Sequence, residues 1–205
     1  MGYRSFSKIL LLSLVLLAWC RPANSQLISV GIKGGVLLND PLNAGQGGSG
    51  AVGHDVRRYL VGPTGELHLP FGFSVEVDAL YRPLNYTDYP TNLSPLPGNY
   101  SPLTHTGSDW QFPILAKYEF HKGFIVHPFV DGGVTYRHVS FSNVPLGNAN
   151  TAGVTVGGGL TFKLLFVRLS PEFRYTHFPT DVFGSNFNYV HSKSNQADFL
   201  VGLTF

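Results

Sequence analysis

The feature that most constrains this chain is a two-residue alternation of apolar and polar side chains in eight separate segments. Successive side chains of a β-strand point to opposite faces, so this period predicts strands rather than helices. In the clearest segment the odd positions are apolar from Phe73 to Tyr81, whereas the even positions include Glu76 and Asp78. The eight predicted strands cover residues 28–38, 59–69, 73–82, 110–120, 124–137, 152–163, 167–176 and 196–205. Four of them contain a proline, which removes one hydrogen-bond donor from the sheet.

The charged residues of these segments all fall on the face opposite to the apolar one. The charged face carries Lys33, Glu66, Glu76, Asp78, Arg82, Lys117, Glu119, Asp131, Arg137, Arg168, Glu172, Arg174 and Asp198, together with Arg58 and Lys163. Basic and acidic groups are nearly balanced on this face, so an ionic network is expected if the face is enclosed. The acidic side chains of Glu76, Asp78, Glu119 and Glu172 are expected to pair with Arg82, Lys117, Arg168 and Arg174.

The connections between the segments alternate between short and long. Short turns are predicted at 70–72, 121–123 and around 164–165, and long polar connections at 39–55, 83–108, 138–151 and 177–195. Glycine, proline, asparagine and serine enrich the long connections and favour loops. An eight-stranded antiparallel up-and-down β-barrel has this arrangement when its turns lie at one rim and its loops at the other.

Two architectures suit this alternation, and they differ in which face is enclosed. A soluble secreted barrel that binds a ligand encloses the apolar face, whereas a transmembrane barrel turns that face to lipid. Aromatic residues form two bands on the apolar face and favour the membrane barrel, whose aromatic girdles lie at the two interfaces. The predicted girdles are Tyr59, Tyr81, Trp110, Tyr136 and Tyr175 at the loop ends, and Phe73, Phe120, Phe162 and Phe205 at the turn ends.

The N-terminal segment has the layout of a secretory signal peptide. Arg4 and Lys8 precede an eleven-residue apolar run from Ile9 to Trp19, and small residues precede a cleavage site after Ser25. The domains predicted are therefore a cleaved signal at 1–25 and a barrel domain at 26–205. Cleavage removes the only cysteine, Cys20, so zinc–thiolate, disulfide and cysteine-nucleophile chemistry are excluded for the mature domain. A lipidated Cys20 is the alternative, although Trp19 is bulky where such a signal has a small residue.

The C-terminal strand carries the pattern Phe199-x-Val201-x-Leu203-x-Phe205. This pattern, the eight alternating segments and the N-terminal signal resemble the small outer-membrane β-barrel superfamily of Gram-negative bacteria. The terminal residues Phe199, Val201, Leu203 and Phe205 are similar to the signal that the outer-membrane assembly machinery recognises. The resemblance implies a monomer in the bacterial outer membrane, in contact with lipid and inserted by that machinery.

The function predicted from these patterns is a structural or surface-interaction role without catalysis. Eight strands enclose an interior that side chains can fill, so a lumen closed by ion pairs is expected, with a narrow pore as the alternative. The long connections are the candidates for contact with an unidentified partner, and the 83–108 connection contains Tyr86, Tyr89 and Tyr100.

No cofactor, metal or nucleic acid is expected. The histidines lack paired ligand spacing. The formal net charge is +2, without a cluster of Lys or Arg of the kind that binds nucleic acid. A minor alternative is a lipid-modifying hydrolase, because His138-Val139-Ser140 is similar to the His-x-Ser motif of outer-membrane lipid A deacylases. A poorer candidate lies at Arg174–His177, and neither has an evident acidic partner in the sequence.

Overall fold

The computed structural model describes residues 27–39, 42–44, 50–55, 58–90, 103–120, 126–142, 146–164, 166–182, 190–192 and 194–205. The predicted signal peptide at 1–25 and the predicted turn at 121–123 lie outside these residues. The strands are β1 (Ile28–Leu37), β2 (Leu42–Ala44), β3 (Gly50–Asp55), β4 (Tyr59–His68), β5 (Phe73–Asp78), β6 (Leu80–Pro90), β7 (Leu103–Glu119), β8 (Val126–Phe141), β9 (Asn150–Leu164), β10 (Val167–His177), β11 (Val190–Ser192) and β12 (Asn195–Thr204).

Eight antiparallel strands close into a barrel, as the sequence predicts. Consecutive strands pair in the order β1, β4, β5 with β6, β7, β8, β9, β10 and β12, and β12 pairs back onto β1. Strands β5 and β6 act as one barrel strand with a single interruption at Ala79, whose amide still donates to the Pro63 carbonyl at 3.0 Å. No helix in the described part of the chain is long and apolar enough to cross a membrane.

The pairing register shows how strongly the strands are staggered. Starting at Leu27, whose carbonyl accepts from the amide of His68, the register leads once around the barrel to Leu37, ten residues further along β1. The intermediate positions are His68, Ser74, Lys117, Asp131, Gly157, Arg174 and Asp198. A stagger of this kind requires strands that are tilted from the barrel axis.

The barrel is apolar outside and charged inside. Val30, Ile32 and Phe173 on the outer face are about 60% exposed, whereas Arg82, Asp109 and Glu172 on the inner face have no exposed surface. This distribution is the reverse of a soluble barrel, whose apolar face would form the core. The alternative of a soluble ligand-binding barrel with an apolar interior is therefore wrong for this chain.

The two ends of the barrel carry different connections. The turn end holds both ends of the described chain and the Pro70–Gly72 turn, a single 3₁₀ turn in which Phe71 has φ 66° and Gly72 has φ 83°. The loop end holds the long connections. The predicted tight turn at 70–72 is confirmed, and positive φ at Gly72 is the backbone geometry that glycine favours.

The strands extend further into the long connections than the hydrophobic alternation predicts. The prediction that 83–108 and 138–151 are loops is wrong in part, because β6 runs to Pro90, β7 begins at Leu103, β8 runs to Phe141 and β9 begins at Asn150. The 39–55 connection contributes β3, which pairs with β6, and β2, which pairs with β11. In these extensions outward positions such as Thr104 and Ser140 are polar, while the inward positions include the buried Leu84, Val139 and Phe141. The apolar-outside alternation that marks the predicted strands therefore stops before the strands end.

Candidate functional site

A cluster of ion pairs occupies the centre of the barrel interior. Its members are Lys33, Glu76, Asp78, Lys117, Glu172 and Arg174, all of them buried. The Arg174 guanidinium donates to Glu76 at 2.9 Å, to Asp78 at 3.0 Å and to Glu172 at 2.6 Å. Lys33 pairs with Glu76 and lies 3.0 Å from Glu172. The side chains of four barrel strands, β1, β5, β7 and β10, thereby meet in one cluster.

Glu76 connects most of the central cations. Its carboxylate contacts Lys33, Arg174 and Lys117, the last at 3.5 Å. Lys117 also lies 3.6 Å from Glu66 and 4.0 Å from the centre of the Phe129 ring. The multiple partners matter because an isolated charge without water costs several kcal/mol, which only well-placed counter-charges offset.

A second cluster lies nearer the loop end and centres on a residue that the sequence analysis missed. Asp109 has no exposed surface, and its Oδ2 accepts from Arg82 and from the Nε of Arg137 at 3.1 Å. Gln111 donates to the same oxygen at 3.1 Å and bonds with Gln196. The sequence contains the information needed to predict this position, because Asp109 lies two positions before Gln111 and therefore on the same face of the strand. The predicted strand omits Asp109 because the apolar alternation begins at Trp110.

The contacts at the turn end differ from the predicted pairs. Glu119 pairs with Lys163 at 3.1 Å, a cation outside the set expected for it. Among the described residues Arg168 pairs with no carboxylate, and its guanidinium lies 2.6 Å from the His68 ring nitrogen. The same nitrogen is 3.0 Å from the Ser29 hydroxyl. Strand alternation predicts which face a residue occupies but not its height relative to residues of the other strands. The predicted partners of Glu119 and Arg168 are wrong for this reason.

Two predicted members of the ionic network are buried inside the barrel without an ion pair among the described residues. Both carboxylate oxygens of Asp131 lack a hydrogen-bond partner there. Asp198 accepts instead from the Gln196 amide at 2.8 Å. Nor do the described residues bring together three His, Cys, Asp or Glu side chains that could hold a metal ion.

An apolar layer lies inside the barrel at the loop end. Phe178, Val182, Val139 and Phe141 are buried there, and the Arg137 guanidinium lies 5.1 Å from the centre of the Phe178 ring. Gly153 makes room for this ring, because a Cβ at that position would lie 2.8 Å from a Phe178 ring carbon. The segment after β10 is tied to the neighbouring connection, since the amide of Asn148 donates to the Val182 carbonyl at 3.0 Å.

The residues predicted to form the aromatic girdles lie on the outer face. Trp110 stacks on Phe112 with ring centres 6.1 Å apart and contacts Tyr81 at 5.1 Å, which makes a continuous aromatic patch near the loop end. The other exposed or partly exposed girdle residues are Tyr59, Tyr136, Tyr175, Phe73, Phe120, Phe162 and Phe205. In β12, Phe199, Val201, Leu203 and Phe205 also face outward, and the amide of Phe205 donates to the Val30 carbonyl at 3.0 Å.

The candidate hydrolase residues lie on the outer face of β8. His138 and Ser140 are exposed, and His138 Nδ1 is 2.6 Å from Asn150 Oδ1, an orienting contact not evident in the sequence. Within the described part of the chain no hydrogen bond joins Ser140 to His138. The same geometry recurs at His177 and Asn195, 2.7 Å apart, where the residue two positions after the histidine is a proline. A His–Asn contact therefore forms at two places on this barrel, and the serine two positions after the histidine is present at the first of them.

Solved structures place this architecture among known proteins. Neisserial surface protein A matches with a TM-score of 0.54 at 13% identity, covering 87% of this chain and 96% of that one. This chain has the fold of the small outer-membrane β-barrels. The attachment invasion locus protein Ail of Yersinia pestis also matches, with a TM-score of 0.38 at 13% identity over 88% of this chain and all of that one. No family model and no curated protein sequence matches the chain.

Proposed function

We propose that the protein is an outer-membrane β-barrel with a structural and surface-interaction role and a lumen closed by ion pairs. The observation that carries the proposal is the inverted barrel, apolar outside and ionic inside. A barrel of this kind satisfies every backbone donor within a bilayer, because its strands have no open edge there. Its outward face offers lipid an aliphatic middle with aromatic residues towards both ends.

The packing of the interior supports a closed lumen. The central cluster crosses the barrel from Lys33 on β1 to Glu76 on β5 and Arg174 on β10, and all three side chains are buried. The Asp109 cluster and the layer around Phe178 lie above it, towards the loop end. A solute would have to pass three successive layers of packed side chains.

The strands beyond the barrel support a role at the surface. The hairpin of β6 and β7 continues in register from Arg82 and Asp109 to Asp88 and Leu103, and β3 adds a third strand to it. This three-stranded extension would project from the membrane as a platform for contact. The neisserial relative in fold is itself described as a surface protein.

Membrane fractionation tests the proposal directly. The wild-type chain should stay in the outer-membrane pellet after a carbonate wash and should migrate differently on gels with and without heating. Val77→Arg should destabilise the barrel by about 2–4 kcal/mol, because it places a cation on the lipid face midway between Phe73 and Tyr81. Thr104→Arg, on the outer face six residues beyond Trp110, is the matched control and should cost about 0–1 kcal/mol. Recovery in the soluble fraction, or equal effects of the two arginines, would reject a membrane location.

Hydrolysis of a lipid ester at Ser140 is the second candidate function, and the contact between His138 and Asn150 favours it. In such a mechanism His138 would take the proton of the Ser140 hydroxyl while Asn150 orients the ring. Purified protein should then release acid from a nitrophenyl or lipid ester, and Ser140→Ala should abolish the release. Ser108→Ala on the neighbouring strand is the control. Turnover that is absent, or unchanged by Ser140→Ala, leaves the non-catalytic role.

A further inference from the structure

Two histidine–asparagine pairs on the outer face repeat one local pattern. In each, a strand that runs towards the loop end carries Tyr-x-His, and the next barrel strand carries Asn-x-Ala. The histidine and the asparagine are directly paired in the register of the two strands. The first pair joins His138 of β8 to Asn150 of β9, and the second joins His177 of β10 to Asn195 of β12. These four residues, here called the rim patch, occupy four consecutive barrel strands, and all four are exposed.

The hydrogen bond within each pair determines which of its donors and acceptors have no partner among the described residues. An amide oxygen only accepts, so Nδ1 of the histidine is the donor, and Nε2 of the neutral ring is left as an acceptor. The asparagine keeps its two Nδ2 hydrogens as donors. Each pair therefore presents one acceptor and one donor group side by side. At the second pair Asn39 braces the backbone, since its Nδ2 donates to the Asn195 carbonyl at 2.7 Å and its Oδ1 accepts from the amide of Ala197 at 2.9 Å.

The depth of the rim patch places it at the headgroups. Each histidine lies two residues beyond a girdle tyrosine, Tyr136 or Tyr175, on the same face of its strand. Tyrosine rings of this kind mark the membrane–water interface. A side chain one step beyond them, still pointing away from the barrel, meets the polar part of a lipid.

The lack of charged side chains on the described outer face indicates which kind of lipid headgroup the rim patch can bind. In the part of the chain that the structure describes, the outward positions of the eight barrel strands carry no Lys, Arg, Asp or Glu. Phosphate recognition relies on charge-assisted donors, usually Arg or Lys, which this surface lacks. A sugar hydroxyl both donates and accepts a hydrogen bond, and so matches the acceptor and donor that each pair offers.

From these observations we infer that the rim patch binds the sugar headgroup of a glycolipid in the outer leaflet. The inference rests on the proposed outer-membrane location and adds a ligand class to it. Each His–Asn pair bonds a sugar hydroxyl through Nε2 and Nδ2 while the acyl chains lie along the apolar wall below the tyrosines.

Native mass spectrometry of the full barrel in detergent tests the inference with three lipids that share the same acyl chains. These are a digalactosyl diacylglycerol, phosphatidic acid and the parent diacylglycerol. The wild-type protein should retain the galactolipid in preference to the other two. His138→Leu with His177→Leu should lower galactolipid retention roughly fivefold to tenfold, the effect of losing a hydrogen bond or two, and Asn150→Leu with Asn195→Leu should do the same.

The matched control is Ser108→Val, which changes an outward polar residue of β7, the strand beside β8, that is not a member of the rim patch and should leave retention unchanged. Equal retention of the three lipids, or a galactolipid preference that survives all four substitutions, would overturn the inference. A preference for phosphatidic acid that the histidine substitutions remove would overturn it in favour of a phosphate site. Heat-modifiable migration of each variant separates these outcomes from failure of the barrel proposal, because a folded barrel without lipid preference refutes only the rim patch.

Discussion

Among single residues, Glu76 is the described interior carboxylate with the most cationic partners. Lys33, Lys117 and Arg174 all lie against this carboxylate, while Asp78 and Glu172 share Lys33 and Arg174 with it. Removing one partner from a buried ion cluster leaves the others uncompensated, which costs more than the cluster gains over apolar packing. Glu76 is therefore the interior residue whose charge the fold can least easily lose.

Replacing Glu76 with Gln should lower the free energy of unfolding by about 3–5 kcal/mol, because three buried cations would lose their shared counter-charge. Urea unfolding of the refolded barrel in lipid vesicles, followed by tryptophan fluorescence, measures the loss. Glu119→Gln is the control, since its partner Lys163 is 34% exposed and solvent screens the pair, so the loss should be at most about 1 kcal/mol. Similar losses for the two variants would show that the central cluster does not stabilise the fold more than a peripheral pair.

At the scale of elements, barrel closure depends on the seam between β1 and β12. A Cβ at Gly31 would lie 1.9 Å from the Leu203 carbonyl oxygen, and a Cβ at Gly35 would lie 2.1 Å from that of Phe199. These two inward glycines let β12 approach β1 closely enough to pair from Gly31 with Thr204 to Leu37 with Asp198. The predicted assembly signal lies on the same strand, and its recognition by assembly machinery stays a prediction.

Gly31→Ala should therefore weaken closure, since the added methyl group meets backbone atoms that cannot move without shifting β12. The expected cost is about 1–3 kcal/mol, as for other overpacked sites, and the heat-modifiable gel band should lose intensity. Gly34→Ala provides the comparison on the same strand, because its Cβ would point outward with the nearest atom at 3.6 Å. A Gly31 variant that folds as well as the Gly34 variant would mean that the seam is looser than its register indicates.

At the scale of the whole molecule, the layered interior makes a prediction about transport. Under the proposed closed lumen, the purified barrel in a planar bilayer should give no stable conductance, because an ion would have to pass the central cluster, the Asp109 cluster and the layer around Phe178. Phe178→Ala alone should leave it closed, since the two ionic layers remain. Single-channel recording distinguishes the cases, and a steady open level in the wild-type protein would favour the narrow pore instead.

The alternation in the amino-acid sequence is enough to predict the side of the sheet on which each strand residue lies. Because side chains alternate with a period of two, neighbouring positions of a strand lie on opposite faces of the sheet. Which of the two faces is apolar follows from the residues of that strand, without knowledge of the neighbouring strands. For this reason the eight strands, the inward charges such as Glu76 and Arg174 and the outward aromatics such as Trp110 followed from the sequence alone. The limits of β6 and β7 did not, because beyond Arg82 and Asp109 the outward positions are no longer apolar and the alternation that marks the strands ends there.

Which residues contact each other follows from the folded barrel and not from any single segment of the sequence. Strand stagger sets the height of each side chain around the barrel. The pairing of Arg82 and Arg137 with Asp109, and the lack of an ion pair for Asp131 within the described part of the chain, therefore depend on a register that no single strand encodes. The same holds for the rim patch, whose histidines and asparagines lie 12 and 18 positions apart in the sequence. They become partners because adjacent antiparallel strands bring them into register at one height.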